Sequence, residues 1–101
     1  MKWLWTWGGH CFGYRDEEDL WTYGGQHVGK FHDDEIYGTD GGYLGEVKSE
    51  NRLITNLGKK SRRKSTFSPY GRRGGFGKHG DYGGYGMLGG YEDFPKPETF
   101  V

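Results

Sequence analysis

Residues 59–78 concentrate the chemistry of this 101-residue chain: Lys59, Lys60, Arg62, Arg63 and Lys64, then Tyr70, Arg72, Arg73 and Phe76, with eight Lys or Arg and no acid in the interval. Cations beside rings and flexible glycines can neutralise phosphates while a ring stacks on a base. The same charge holds a protein to anionic lipid headgroups, at about 1 kcal/mol per basic residue near the surface. These nine residues are the candidate contact set for an anionic partner (nucleic acid or anionic lipid) or for another protein. In the lipid case Trp3, Trp5 and Trp7 would enter the interface. The plainer reading is a solvated arm that balances charge. Residues 1–58 carry ten acids against five bases, and the whole chain has 14 of each sign.

Other chemistry is thinner. Cys11 is the only cysteine, which excludes an intramolecular disulfide and a Cys-rich zinc site, and makes the cytoplasm the expected location. With a histidine it is also the only nucleophile–base combination, and packing as a small apolar side chain accounts for it better than catalysis. Asp16-Glu17-Glu18-Asp19 and Asp33-Asp34-Glu35 offer oxygen ligands without the spacing of a calcium loop. His10, His27 and His32 lack zinc-motif spacing. Neither an enzyme, a metal nor a cofactor is expected. The Gly-rich run from Gly71 to Gly90 lacks the strand–loop–helix context of a phosphate loop.

These side chains need a scaffold, and internal repetition supplies one. LWTWGGHCFGYR at 4–15, LWTYGGQHVGKF at 20–31 and IYGTDGGYLGEV at 36–47 align without gaps every 16 residues. Gly8-Gly9, Gly24-Gly25 and Asp40-Gly41 suit two-residue type I′ hairpin turns, flanked by aromatic and β-branched strands. That register sets Trp5 opposite Phe12, Trp21 opposite Val28, Tyr37 opposite Leu44 and Cys11 opposite Thr6. Leu4, Leu20 and Ile36 then each face a glycine, which suggests crowding where hairpins converge. A fourth unit starts near Leu53, but Lys59-Lys60 stands where its return strand is expected. Residues 79–101, Gly/Tyr-rich and then extended near Pro95 and Pro97, complete the same single domain.

Composition agrees with an all-β reading. There is no alanine, 21 glycines oppose helix, and Leu, Ile, Val and Phe total only 17, so four Trp and eight Tyr must supply much of the apolar area. A monomer with so thin a core is marginal, and self-association is expected. No stretch approaches the roughly 20 apolar residues of a membrane helix.

Repeated aromatic–Gly hairpins, Asn51-Arg52-Leu53-Ile54-Thr55, a Lys/Arg–Ser run, a Gly/Tyr stretch and the ending Gly90-Tyr91-Glu92-Asp93-Phe94-Pro95 together resemble the 4-fold beta flower family of small, mostly bacterial proteins. The resemblance spans nearly the whole chain. It implies a shallow, roughly four-fold symmetric barrel of tandem hairpin petals, and it implies no activity and no site residues. Tubby-type domains share a looser, architectural likeness. The leading expectation is a non-enzymatic binding or assembly module, with nucleic-acid binding and anionic-lipid association as alternatives. Side chains at the barrel axis either leave a narrow channel or plug it, and small barrels are usually filled.

Overall fold

The structure, a computed structural model, describes residues 1–100. Eight strands follow one another as β1 (Lys2–Thr6), β2 (Cys11–Asp16), β3 (Asp19–Thr22), β4 (His27–His32), β5 (Glu35–Gly38), β6 (Tyr43–Lys48), β7 (Arg52–Asn56) and β8 (Tyr91–Asp93). The first seven form an antiparallel meander that closes into a barrel where β1 meets β7 in parallel, Trp5 beside Arg52 and Thr6 beside Leu53. Closure removes the free edges that a meander would otherwise expose. The expected all-β barrel of tandem hairpins is the observed fold.

Two local expectations are corrected. The hairpin tips are three-residue loops, not two-residue type I′ turns. Thr6 N–H donates to the His10 carbonyl and Gly9 N–H to the Thr6 carbonyl, and the same pair of bonds recurs at Thr22–Gln26 and Gly38–Gly42. Only the last loop residue adopts positive φ: Gly9 (95°), Gly25 (93°) and Gly41 (84°). A turn closing on a left-handed glycine fits the twist of a hairpin as well as type I′ does.

The register also shifts by one. Leu4 faces Gly13 as expected, but Trp5 faces Cys11, so Cys11 does not oppose Thr6. Trp21 likewise faces His27 and Tyr37 faces Tyr43. Phe12, Val28 and Leu44 are therefore bulge residues, one extra per return strand. A bulge re-aims its side chain, and here all three point to the core. The facing glycines are required by crowding: a Cβ on Gly29 would lie 2.8 Å from Ile36 Cγ2, and one on Gly45 2.6 Å from the Phe94 ring.

The fourth unit is completed from a distance. Ile54 pairs with Asp93, Thr55 with Glu92 and Asn56 with Tyr91. β7 thus shares one edge between β1, at its first residues, and β8, at its last. Phe94, just after β8, takes the bulge place of Phe12, and the two rings pack edge to face at 5.3 Å. Lys59-Lys60 belongs to a 3-10 turn (Leu57–Lys59) and its exit. A second 3-10 turn, Pro97–Phe100, replaces the extended tail expected near the prolines.

Leu4, Leu20, Ile36 and Leu53 from the four outgoing strands, with Phe12, Val28 and Phe94, fill the barrel. Each such side chain contributes about 1.5–3 kcal/mol through burial. The axis is plugged. Between petals the chain turns tightly at Glu17-Glu18 and Asp33-Asp34, leaving those acids exposed on one rim.

Candidate binding surface

Residues 57–90, which separate β7 from β8, form a strap that passes the hairpin tips in reverse order. Lys64 N–H donates to the Gly41 carbonyl (2.8 Å), Arg73 N–H to Gly25 (2.9 Å) and Tyr82 N–H to Gly9 (2.9 Å). Three residues further on, Phe67, Phe76 and Tyr85 donate to Thr39, Tyr23 and Trp7. Donor positions 64, 73 and 82, then 67, 76 and 85, advance by nine. A nine-residue repeat in the strap therefore reads out a 16-residue repeat in the barrel. The periods differ because the strap takes the short way round while the petals meander.

Equivalent strap residues also cap equivalent rings. The Lys64 ammonium lies 5.7 Å from the Tyr37 centroid and the Arg73 guanidinium 3.8 Å from Trp21, while Tyr82 stacks on Trp5 at 4.2 Å. Strap and barrel then interleave: Phe76 meets Trp3, Trp3 stacks on His79 at 3.9 Å, and Tyr85 packs between Trp7 and the Arg52 guanidinium. Arg52 is buried, and it donates to the Trp7 and Gly83 carbonyls. Much of the aromatic content is spent on this clasp.

His27 fixes the middle of the strap. Its buried ring lies beside both Trp21 (5.0 Å between centroids) and Tyr70 (5.1 Å), and its Nδ1 accepts the Tyr70 N–H at 3.0 Å. Nε2 then carries the proton and donates to the Gly29 carbonyl (3.1 Å), with Asp19 Oδ1 3.0 Å away. Burial pushes the His27 pKa down, and Asp19 opposes that only in part, so the neutral ring is the resident form.

The basic residues divide into two groups. Lys59 bridges Glu35 (2.9 Å) and Glu46 (2.8 Å), which face each other across β5 and β6. Arg62 reaches Glu35, Lys60 reaches Glu92, and Arg73 reaches Asp16. The Lys59 ammonium at the Glu35 carboxylate, ahead of the opposing effect of burial, holds the Glu35 pKa below its ordinary value. Lys59, Arg62 and Arg73 bind the strap to the acidic half of the chain, and Lys60 binds it to β8. Among the described residues Arg63 and Arg72 meet only backbone carbonyls, at 3.4 and 3.5 Å, and Lys64 only the Tyr37 ring.

Aromatic exposure is concentrated on the strap. Tyr70, Phe76, Tyr82 and Tyr85 keep 60, 47, 50 and 49% of their surface open. Tyr82 and Tyr85 escaped the sequence reading because they lie beyond the basic run. Their signal was the spacing from Arg73 and Phe76, nine residues earlier.

Cys11 is buried, with its thiol pushed up by desolvation, and its N–H donates to Asp81 Oδ1. Among the described residues no group of three or more His, Cys, Asp or Glu is gathered to hold a metal. No helix among them is long and apolar enough to cross a membrane.

The family model described as 4-fold beta flower protein matches residues 1–75. No curated protein and no solved structure matches the chain.

Proposed function

The chain belongs to the 4-fold beta flower family, and from that premise we propose that it acts without catalysis, as a binding module whose working face is the outer side of the strap. The barrel is the scaffold, and the strap presents cations and rings to an anionic partner. The observation that carries this reading is the division of the basic run. Lys59, Lys60, Arg62 and Arg73 spend their charge on barrel and β8 acids, whereas Arg63, Lys64 and Arg72 have no carboxylate partner among the described residues. The contact set is thereby narrowed from nine residues to these three cations with Tyr70 and Phe76, and extended to Tyr82 and Tyr85. A reducing cytoplasm suits the free Cys11 thiol.

Binding to inorganic polyphosphate by wild type and by the triple variant R63A/K64A/R72A tests the reading. The variant should bind at least tenfold more weakly while still unfolding in a single cooperative transition. Equal binding by both proteins, or none by the wild type, would remove these cations from the function.

A further inference from the structure

Building on that reading, we infer that the anionic partner is a single-stranded nucleic acid whose bases stack on Tyr70 and Tyr82. Both rings lie nearly parallel to barrel rings, Tyr70 at 6.3 Å from Trp21 and 5.1 Å from His27, Tyr82 at 4.2 Å from Trp5. Tyr70 lies 5° from the plane of Trp21 and 19° from that of His27, and Tyr82 lies 22° from that of Trp5. Tyr70 and Tyr82 nonetheless keep 60 and 50% of their residue surface exposed. A ring held parallel to its neighbours and still open to water is a ready platform for a base, and loses little ordering entropy when a base arrives.

The backbone between the platforms is bare. A Cβ built on Gly71, Gly74, Gly77 or Gly80 would meet nothing within 4 Å, so no side chain at those positions overhangs the path. Phe76, about half open, lies between them. Within residues 70–82 Arg73 pairs with Asp16 and Lys78 with Asp81, which leaves Arg72 as the cation without a carboxylate partner among the described residues. Arg63 and Lys64 extend the cationic path beyond Tyr70. Phosphates on the cations and bases on the rings would follow one line, as single-strand binders arrange them. A duplex keeps its bases stacked inside and offers these rings nothing. An anionic membrane would meet rings pinned in place by the barrel, which are poorly suited to insertion.

The experiment is fluorescence anisotropy of labelled (dT)12, the matching duplex and polyphosphate of equal charge, with vesicles of phosphatidylcholine and phosphatidylglycerol in parallel. The single strand should bind at least tenfold tighter than the duplex or polyphosphate. With Arg63, Lys64 and Arg72 on phosphates, log affinity should fall with log salt at a slope of about −2, near −0.7 per contact. Y70L and Y82L should each weaken (dT)12 about tenfold, and several-fold more than they weaken polyphosphate. Y70W and Y82W, which keep the platform, should bind (dT)12 at least as well as wild type and show quenched Trp emission. Polyphosphate binding with no preference for (dT)12, or (dT)12 binding indifferent to all four variants, would overturn the base-stacking inference and leave the anionic surface standing. Capture by vesicles with no binding to (dT)12 would replace nucleic acid by lipid. Failure of every anion would sink the underlying reading as well.

Discussion

Tyr82 lies on Trp5 with ring centroids 4.2 Å apart, and Arg73 holds the corresponding place over Trp21 at 3.8 Å. A tyrosine and an arginine are interchangeable there because either a ring or a planar cation satisfies an indole face. Arg73→Tyr should therefore change stability by less than about 1 kcal/mol, while Arg73→Ala loses the cap and melts lower. Thermal melts of the two variants side by side check this, and a larger loss for tyrosine than for alanine would refute the equivalence.

Phe94 completes the fourth petal, so its removal should cost what a core ring costs. Phe94→Ala and Phe12→Ala are each expected to lose about 3–5 kcal/mol in urea unfolding. A loss below about 1 kcal/mol at Phe94 would mean that β8 and its bulge residue are not part of the barrel.

Gly25 combines positive φ with a carbonyl-to-strap contact, and a Cβ there would collide with the Arg73 carbonyl. Gly25→Ala should cost about 1–3 kcal/mol in backbone strain and lift the strap from the second tip. Trypsin should then cut at Arg72 and Arg73 several-fold faster than in wild type. Gly71→Ala, with open space around it, should leave cleavage unchanged.

Acid should loosen the strap through His27. Its pKa is lowered in the folded protein, first by burial, so below the unfolded value of about 6.5 the unfolded chain binds more protons. Stability from this group is full above that pH and falls as pH drops toward the lowered folded pKa. Protonation also places a hydrogen on Nδ1, which then no longer accepts the Tyr70 N–H. The Tyr70 amide should lose exchange protection on that acid limb. Asp19→Asn, which removes the charge raising the His27 pKa, should move the loss to lower pH.

The Glu35–Lys59–Glu46 cluster acts in a separate, more acidic window. Glu35 has a lowered pKa, led by its bond to Lys59, so its contribution is present above the ordinary carboxylate range and disappears as pH falls through the lowered value. Lys59→Met leaves two facing carboxylates without their shared cation, and should cost about 1–2 kcal/mol at pH 7. That cost should shrink as pH falls through the lowered Glu35 value, where the carboxylate that Lys59 holds takes up its proton.

The petals were legible because their repetition is carried by side chains: Leu4, Leu20 and Ile36 recur at fixed spacing, and the tip glycines mark the turns. The register was misplaced because a bulge adds a residue without changing any residue type, so Phe12 opposite Trp5 and Phe12 in a bulge leave the same pattern. The fourth petal was half legible. Leu53-Ile54-Thr55 announces β7, but its partner Tyr91–Asp93 lies beyond a 34-residue strap (57–90), and local patterning does not report so distant a pairing. The strap's own repeat was obscured for a chemical reason. Its recurring bonds are donated by backbone N–H groups, which any residue but proline supplies, and its capping position is filled by Lys64, Arg73 and Tyr82 in turn. Basic charge was conspicuous in the sequence. Which cations were already neutralised depended on Glu35, Glu46, Glu92 and Asp16, brought near only by folding.

Every functional statement here requires the strap to be a fixed surface. Hydrogen exchange at single-residue resolution tests that directly. The amides of Lys64, Arg73 and Tyr82, each donating to a tip glycine, should exchange at least a hundredfold more slowly than those of Gly71, Gly77 and Gly83, for which no acceptor is seen among the described residues. Uniformly fast exchange across residues 60–88, at the rate of an unstructured peptide, would mean that the rings and cations are not held in place and that the proposed face does not exist.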